Sequence, residues 1–146
     1  MILFVDVKLN QIFSQGRNFN WVKPDSCPRC QSRCLWGHGF AACFFDGYSQ
    51  ALMLRRYRCP DCGCIIRMRP IGYFARFQAA IAAIRFCLQA RLSAGKWPKG
   101  PSTSRQRHWM SALKRKSQAF FGIGMDLMNA FDWFIKTKRI PVSRSI

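Results

Sequence analysis

Two short segments, Cys27-Pro28-Arg29-Cys30 and Cys59-Pro60-Asp61-Cys62-Gly63, decide the fold class of this chain of 146 residues. They are two copies of one Cys-Pro-x-Cys pattern, and 28 residues separate them. A Cys-x-x-Cys turn lets two sulfurs approach one ion, and two such turns joined by a β-hairpin can close a tetrahedral site with Zn–S distances of about 2.3 Å. Because such a site has no open coordination position, the spacing predicts structural zinc. The predicted ligands are Cys27, Cys30, Cys59 and Cys62.

Other interpretations of the cysteines stay open at this point. A Cys-x-x-Cys segment can be a redox-active dithiol, and disulfides are expected mainly in secreted proteins. Residues 1–8 lack a basic region and a long apolar run, so they make a poor signal peptide, and we expect a cytoplasmic location. Cys34 or Cys64 can replace one ligand. Otherwise we expect the remaining four cysteines to behave as small hydrophobic residues: Cys34, Cys43, Cys64 and Cys87.

The sequence around these motifs predicts an α+β fold, in which a small zinc ribbon precedes a three-helix, helix–turn–helix-like segment. The ribbon is expected to be a β-hairpin with a third strand, built from segments near 34–40, 52–58 and 65–69. The helices are expected at about 74–92, 105–120 and 125–138, on the basis of apolar residues at helical spacing. The predicted divisions are a lead-in with a short strand, the ribbon, the basic helical segment and a tail: 1–26, 27–70, 71–140 and 141–146.

The charge of the chain is strongly positive and unevenly distributed. Lys and Arg number 24 against 6 acidic residues, all of them Asp, so the formal net charge is +18. Residues 71–146 contain fourteen cations and two acids, a net charge of +12. Such a charge opposes compaction unless anions lie nearby, and nucleic acid is the usual source of them. With no Glu and only two His, the composition also argues against an enzyme that uses paired carboxylates or a nucleophile–His–acid arrangement.

The predicted second helix contains the candidate nucleic-acid contacts. Its first turn brings three polar side chains that suit base edges and phosphates, and a second basic cluster follows two turns later. The candidates are Arg105, Gln106, Arg107, Lys114, Arg115 and Lys116. Thr103 with Gln106 matches a capping box at the start of this helix. Two alternatives are a solvated helix face and an amphipathic helix that lies on a membrane surface.

The chain also resembles a family of uncharacterised bacterial proteins. The resemblance rests on the two cysteine motifs, on Arg58 and on Pro70, and it extends over about residues 25–120. Residues 102–109 match that family's Ser-rich, Trp-containing second helix. Members have an N-terminal zinc ribbon followed by a helix–turn–helix-like segment, and they look like the DNA-binding front ends of insertion-sequence transposases. This chain departs from them in a longer turn at 97–101 and in four additional cysteines.

Residues and resemblance together imply a zinc-binding, nucleic-acid-binding module of mobile-element origin without a catalytic domain of its own. Its expected partner is nucleic acid, with duplex DNA favoured and a nucleoid-associated location implied. We expect no small-molecule substrate and no membrane partner, and the sequence leaves the oligomeric state open. The alternative is a zinc-stabilised module that binds a protein or structured RNA.

Overall fold

The computed structural model describes residues 1–144, which form two compact units. The first unit, residues 1–78, contains a sheet, and the second, which starts at Ala79, is helical. The elements are β1 (Ile2–Val5), α1 (Leu9–Gln15), β2 (Trp36–Cys43), β3 (Leu52–Arg58), β4 (Ile65–Pro70), α2 (Ile81–Ala94), α3 (Thr103–Phe121) and α4 (Leu127–Lys136). The α+β class is confirmed, with the boundary between the units after Gln78 instead of after Pro70.

The four strands form one mixed sheet in the order β1-β4-β3-β2. β2, β3 and β4 are antiparallel neighbours, as the predicted hairpin and third strand require, whereas β1 pairs with β4 in parallel. The predicted short N-terminal strand therefore exists, but it does not belong to a separate lead-in. It joins the sheet because Leu3 and Val5 pack against the core that contains Ile66 and Met68.

Each side of the sheet has its own core. Because side chains alternate along β3, Leu54 and Tyr57 lie on opposite faces. Tyr57 packs with the cysteine turns, whereas Leu52 and Leu54 lie in a second core with Ile12 of α1. The sequence did not predict α1. It is seven residues long, too short to be stable alone, and the burial of Ile12 against β3 stabilises it.

The first helix of the second unit starts later than the apolar spacing predicts. The buried guanidinium of Arg69 donates hydrogen bonds to the carbonyl oxygens of Phe74 (3.2 and 2.9 Å) and Phe77 (2.5 Å). These carbonyls are therefore held in a loop, in which Arg76 has a φ of 67°. The predicted helical start at 74 is wrong for this reason, and the helix begins at Ile81.

The cores of α3 and α4 follow the predicted spacing in part. The helical spacing of apolar residues puts Trp109, Leu113 and Phe120 on the inner face of α3 and Phe131 and Phe134 on that of α4, and all but Phe120 are buried. Phe120 is 38% exposed in the last turn of α3, where it packs beside Trp133 and Phe134.

The segment that follows α4 is not a free tail. Val142 is buried, and the ammonium of Lys116 donates to the carbonyl of Ile140 (2.7 Å) and the hydroxyl of Ser143 (3.0 Å). The prediction of a tail over 141–146 is therefore corrected for its first part, and residues 145–146 lie outside the described residues. None of the helices within residues 1–144 is long and apolar enough to cross a membrane.

Candidate metal centre and basic groove

The two cysteine turns have the same backbone hydrogen bonds. In the first turn, the N–H of Cys27 donates to the carbonyl of Ser32 (2.8 Å), and the N–H at position 31 donates to the carbonyl of Cys27 (2.9 Å). In the second turn, Cys59 N–H donates to Cys64 (2.9 Å), and the N–H at position 63 donates to Cys59 (2.9 Å). The hydroxyl of Ser32 also donates to the carboxylate of Asp61, which links the two turns. The repeated motif in the sequence thus folds twice in one way.

Position five of each turn has a left-handed backbone, with a φ of 66° at Gln31 and 73° at Gly63. A residue with a side chain pays about 1–2 kcal/mol for this conformation, and glycine avoids that cost. A Cβ added at Gly63 would meet no atom within 4 Å, so a substitution there changes the backbone preference without a clash. Glycine suits both turns, and only the second has it.

Gly63→Ala is therefore expected to destabilise the metal-loaded protein by about 1–2 kcal/mol. Gln31→Gly is expected to stabilise it, by less than about 1 kcal/mol, because the flexibility of glycine in the unfolded chain offsets part of the gain. Denaturant unfolding of the two variants beside the parent protein measures both effects. A loss of stability in Gln31→Gly would contradict the shared geometry of the turns.

The four predicted sulfurs come together in the folded chain. The Sγ atoms of Cys27 and Cys62 are 3.6 Å apart, those of Cys30 and Cys59 are 3.5 Å apart, and all four lie within 4.8 Å of one another. A tetrahedral ion with metal–sulfur distances of about 2.3 Å requires sulfurs about 3.8 Å apart. The donor set and its spacing fit a metal ion. All eight cysteines are free, so these contacts are not disulfides.

The surroundings of the sulfurs favour thiolate at one position and thiol at another. The backbone N–H of Cys30 points at the sulfur of Cys27 and lowers the pKa of Cys27 to about 6. At Cys30 the backbone N–H of Ser32 acts in the same direction, but the hydrogen bond with Cys59, together with smaller effects of the other sulfurs, outweighs it and raises the pKa of Cys30 to about 12. Metal binding must therefore displace protons from the cluster, and acid must weaken it.

The four-cysteine cluster, the candidate metal centre, is part of the core of the first unit. Cys27 and Cys59 have no exposed surface and pack with Leu35, Tyr57 and Ile66. Cys30 is exposed and Cys62 is half-buried, so one side of the cluster faces solvent. Cys34 and Cys64, the possible substitutes, lie outside the group of four sulfurs.

Two of the six candidate nucleic-acid contacts point into the protein. Gln106 is fully buried, and its amide donates to the carbonyls of Pro98 (3.0 Å) and Pro101 (2.7 Å). Lys116 is 5% exposed and bonded to the segment after α4. We correct the prediction for both residues, because their polar groups are used to hold neighbouring chain segments.

The other four candidates remain at the surface of α3. Arg107, Lys114 and Arg115 are exposed, and Arg105 is half-buried, with its guanidinium 5.2 Å from the ring centre of Trp109. The predicted capping box is replaced by a simpler cap, in which the hydroxyl of Ser102 accepts from the N–H of Arg105.

A basic groove lies in the second unit. We use this name for a cavity of about 400 Å³ whose lining includes Arg91, Trp97, Arg107 and Lys114. Arg91 lies with its guanidinium 5.0 Å from the ring centre of Trp97 and donates to the carbonyl of Gly95. Arg107 and Lys114 are seven residues apart on α3 and therefore on one face. The sequence alone did not indicate Arg91 and Trp97 as groove residues, because spacing within one helix carries no information about residues of the preceding helix and loop.

The burial of Gln106 gives a stability prediction. Gln106→Ala removes two hydrogen bonds and leaves two carbonyls without their donor, so we expect a loss of about 2–3 kcal/mol. Arg107→Gln, one residue along, should change the free energy of unfolding by less than about 0.5 kcal/mol, because its side chain is exposed. Denaturant unfolding of both variants measures the difference. Equal stability of the two variants would contradict a structural role for Gln106.

Comparison with protein-family models, curated proteins and solved structures finds no match to this chain. Two features of the chain itself indicate a function: the four-cysteine cluster in the first unit and the basic groove in the second.

Proposed function

We propose that this protein is a zinc-binding module that binds nucleic acid, with duplex DNA as its preferred partner. The observation that carries the zinc part is the convergence of four sulfurs from two turns far apart in the sequence. Thiolate sulfur in a four-ligand tetrahedral arrangement is the usual environment of structural zinc. With all four positions taken by protein, no site remains for a substrate or a reactive water, so the role of the ion is to hold the fold.

Zinc would stabilise a unit that is small for its fold. The sheet unit has 78 residues, and its two cores lie on opposite faces of a four-stranded sheet, so neither is large. Small domains bury a low fraction of their surface and often need a metal or disulfides. A structural zinc ion contributes on the order of 10 kcal/mol to folding at neutral pH.

The nucleic-acid part rests on the basic groove. Residues 79–146 contain thirteen cations and two acids, a net charge of +11. Asp132 is occupied by a salt bridge to Arg85 (2.9 Å), and Asp126 caps α4 by accepting from Asn129 (2.9 Å). Three exposed cations and a tryptophan then share one groove, and this combination suits a phosphate backbone with a base or sugar packed beside it.

A transposase-related origin extends the proposal. The resemblance to transposase front ends rests on the two cysteine motifs with Arg58 and Pro70, and residues 102–109 match it more weakly. In this proposal α2 and α3 correspond to the two helices of a helix–turn–helix. The eight residues 95–102 that connect them are more than the usual turn of about 3–4 residues. This length favours phosphate contacts from the groove over a recognition helix that reads base edges.

Metal analysis and a binding assay test the proposal together. The purified full chain is expected to contain one zinc ion per molecule. In a mobility-shift assay at 50 and 200 mM salt, duplex DNA should bind more tightly than single-stranded DNA or RNA of the same sequence, and its affinity should fall steeply with salt. Tighter binding of structured RNA, or no binding of any probe, would contradict the DNA assignment without affecting the zinc assignment.

A further inference from the structure

A second cationic site lies in the sheet unit. β3 and β4 and the loop after β4 line a cavity of about 760 Å³, which we call the arginine cavity. Its cationic side chains are Arg56, Arg67, Arg69 and Arg76. No described residue that lines it is acidic. By strand alternation, Arg56 of β3 lies on the face opposite Tyr57, which packs with the cysteine turns, so this cavity is distinct from the metal centre.

The arrangement of these arginines is costly without an anion. Arg56 and Arg67 are directly opposite each other in the antiparallel β3–β4 pair, where like charges destabilise a sheet. The Nε of Arg56 is buried and has no hydrogen-bond partner among the described residues. Burial lowers the pKa of Arg69, against an opposing effect of Cys43, and the charge of Arg67 also lowers it. A bound anion would relieve the repulsion and would give the orphaned N–H a partner.

One of these arginines is held by hydrogen bonds to the protein, and the other three can bind a ligand. Arg69 is used structurally, since its guanidinium bonds to the carbonyls of Phe74 and Phe77 and so shapes the wall of the cavity. Arg67 and Arg76 are exposed, and Arg56 is half-buried. These three can present guanidinium groups to a ligand, and a guanidinium matches two oxygens of a phosphate at once.

The size and lining of the cavity indicate a compact ligand. A volume of about 760 Å³ lies in the range of small-molecule and cofactor pockets, about 300–1,000 Å³. Phe44 and Phe77 also line it, and Phe44 is largely exposed, so a flat apolar surface lies beside the cations. We propose that the arginine cavity binds a compact phosphate ligand of nucleotide size.

Calorimetric titration of the zinc-loaded full chain tests this site. The probes are pyrophosphate, ATP and adenosine, and a short duplex is titrated in parallel. ATP and pyrophosphate should both bind, ATP more tightly because Phe44 and Phe77 lie beside the cations, and adenosine should not bind. Arg67→Gln and Arg76→Gln should each weaken that binding by about 10- to 100-fold, the range for losing a hydrogen bond between charged groups.

Arg33→Gln is the matched control, because Arg33 is an exposed arginine of the same unit that does not line the cavity. It should retain the affinity of the parent protein, and thermal unfolding should show that all three variants remain folded. The proposal is overturned if no phosphate probe binds, if adenosine binds equally well, or if Arg67→Gln and Arg33→Gln behave alike. It is also overturned if Arg67→Gln weakens only the duplex. Failure of the phosphate probes to bind would leave the basic groove untouched, because the groove is lined only by residues of the second unit.

Discussion

Cys59→Ser is expected to release the metal ion and to unfold the sheet unit. Cys59 has no exposed surface, packs in the core with Tyr57 and Ile66, and supplies one of four sulfurs. A serine hydroxyl is a poor zinc ligand, and its burial in place of the thiol leaves a polar group in an apolar site. Metal binding contributes on the order of 10 kcal/mol to the free energy of folding. Losing that contribution is enough to unfold most small domains, whose free energy of unfolding is of similar size.

The measurement combines zinc content with a structural probe. Parent protein should carry one zinc ion and show dispersed amide signals from β2, β3 and β4, whereas Cys59→Ser should carry none and lose those signals. Helical signals from α2–α4 should persist, because the three helices contact one another within the second unit and bury Leu88, Leu113 and Phe131. The control is Cys34→Ser, an exposed cysteine outside the group of four, which should retain zinc and fold. Full zinc content in Cys59→Ser would refute the assignment of the ligands.

Neutralising the basic groove is expected to abolish most nucleic-acid binding. The triple variant Arg91→Gln, Arg107→Gln, Lys114→Gln removes the three cations that line it and leaves the buried residues of α3 unchanged. If each cation contacts one phosphate, duplex affinity should fall by about 100-fold or more. The slope of log affinity against log salt should become shallower by about 3.

A second triple variant separates the groove from net charge. Lys8→Gln, Lys136→Gln and Lys138→Gln remove an equal number of positive charges from exposed positions that do not line the groove. This control should bind duplex DNA within about threefold of the parent protein at physiological salt, because screening limits the effect of charges that do not contact the phosphates. Equal loss in both triple variants would show that binding follows overall charge, and it would remove the groove from the proposal.

The metal centre is the part of this protein that the sequence predicted in most detail. Each Cys-x-x-Cys turn is built from contacts within about six residues, so its geometry follows from local sequence. Local sequence does not fully account for the left-handed residue at the fifth position of each turn. Glycine at position 63 signals the turn, but Gln31 adopts the same φ because the rest of the turn imposes it.

The helices also have some features that local sequence determines and others that distant residues determine. Apolar spacing predicted α4 and the approximate ends of α3, since helical periodicity depends on neighbouring residues. The start of α2 depends on Arg69, which takes hydrogen-bond acceptors from the segment that spacing assigned to the helix. Helical periodicity alone carries no information about a competing donor on a strand.

The amino-acid sequence by itself determined which four cysteines are the candidate metal ligands and which half of the chain is most basic, because spacing and charge are properties of the covalent chain. Only the tertiary structure decided which basic side chains are available. It buries Gln106 and Lys116, groups Arg91 with Arg107 and Lys114, and makes β1 the fourth strand of the sheet. The physical reason is that exposure depends on which distant segments cover a residue, and that coverage is set by packing between elements.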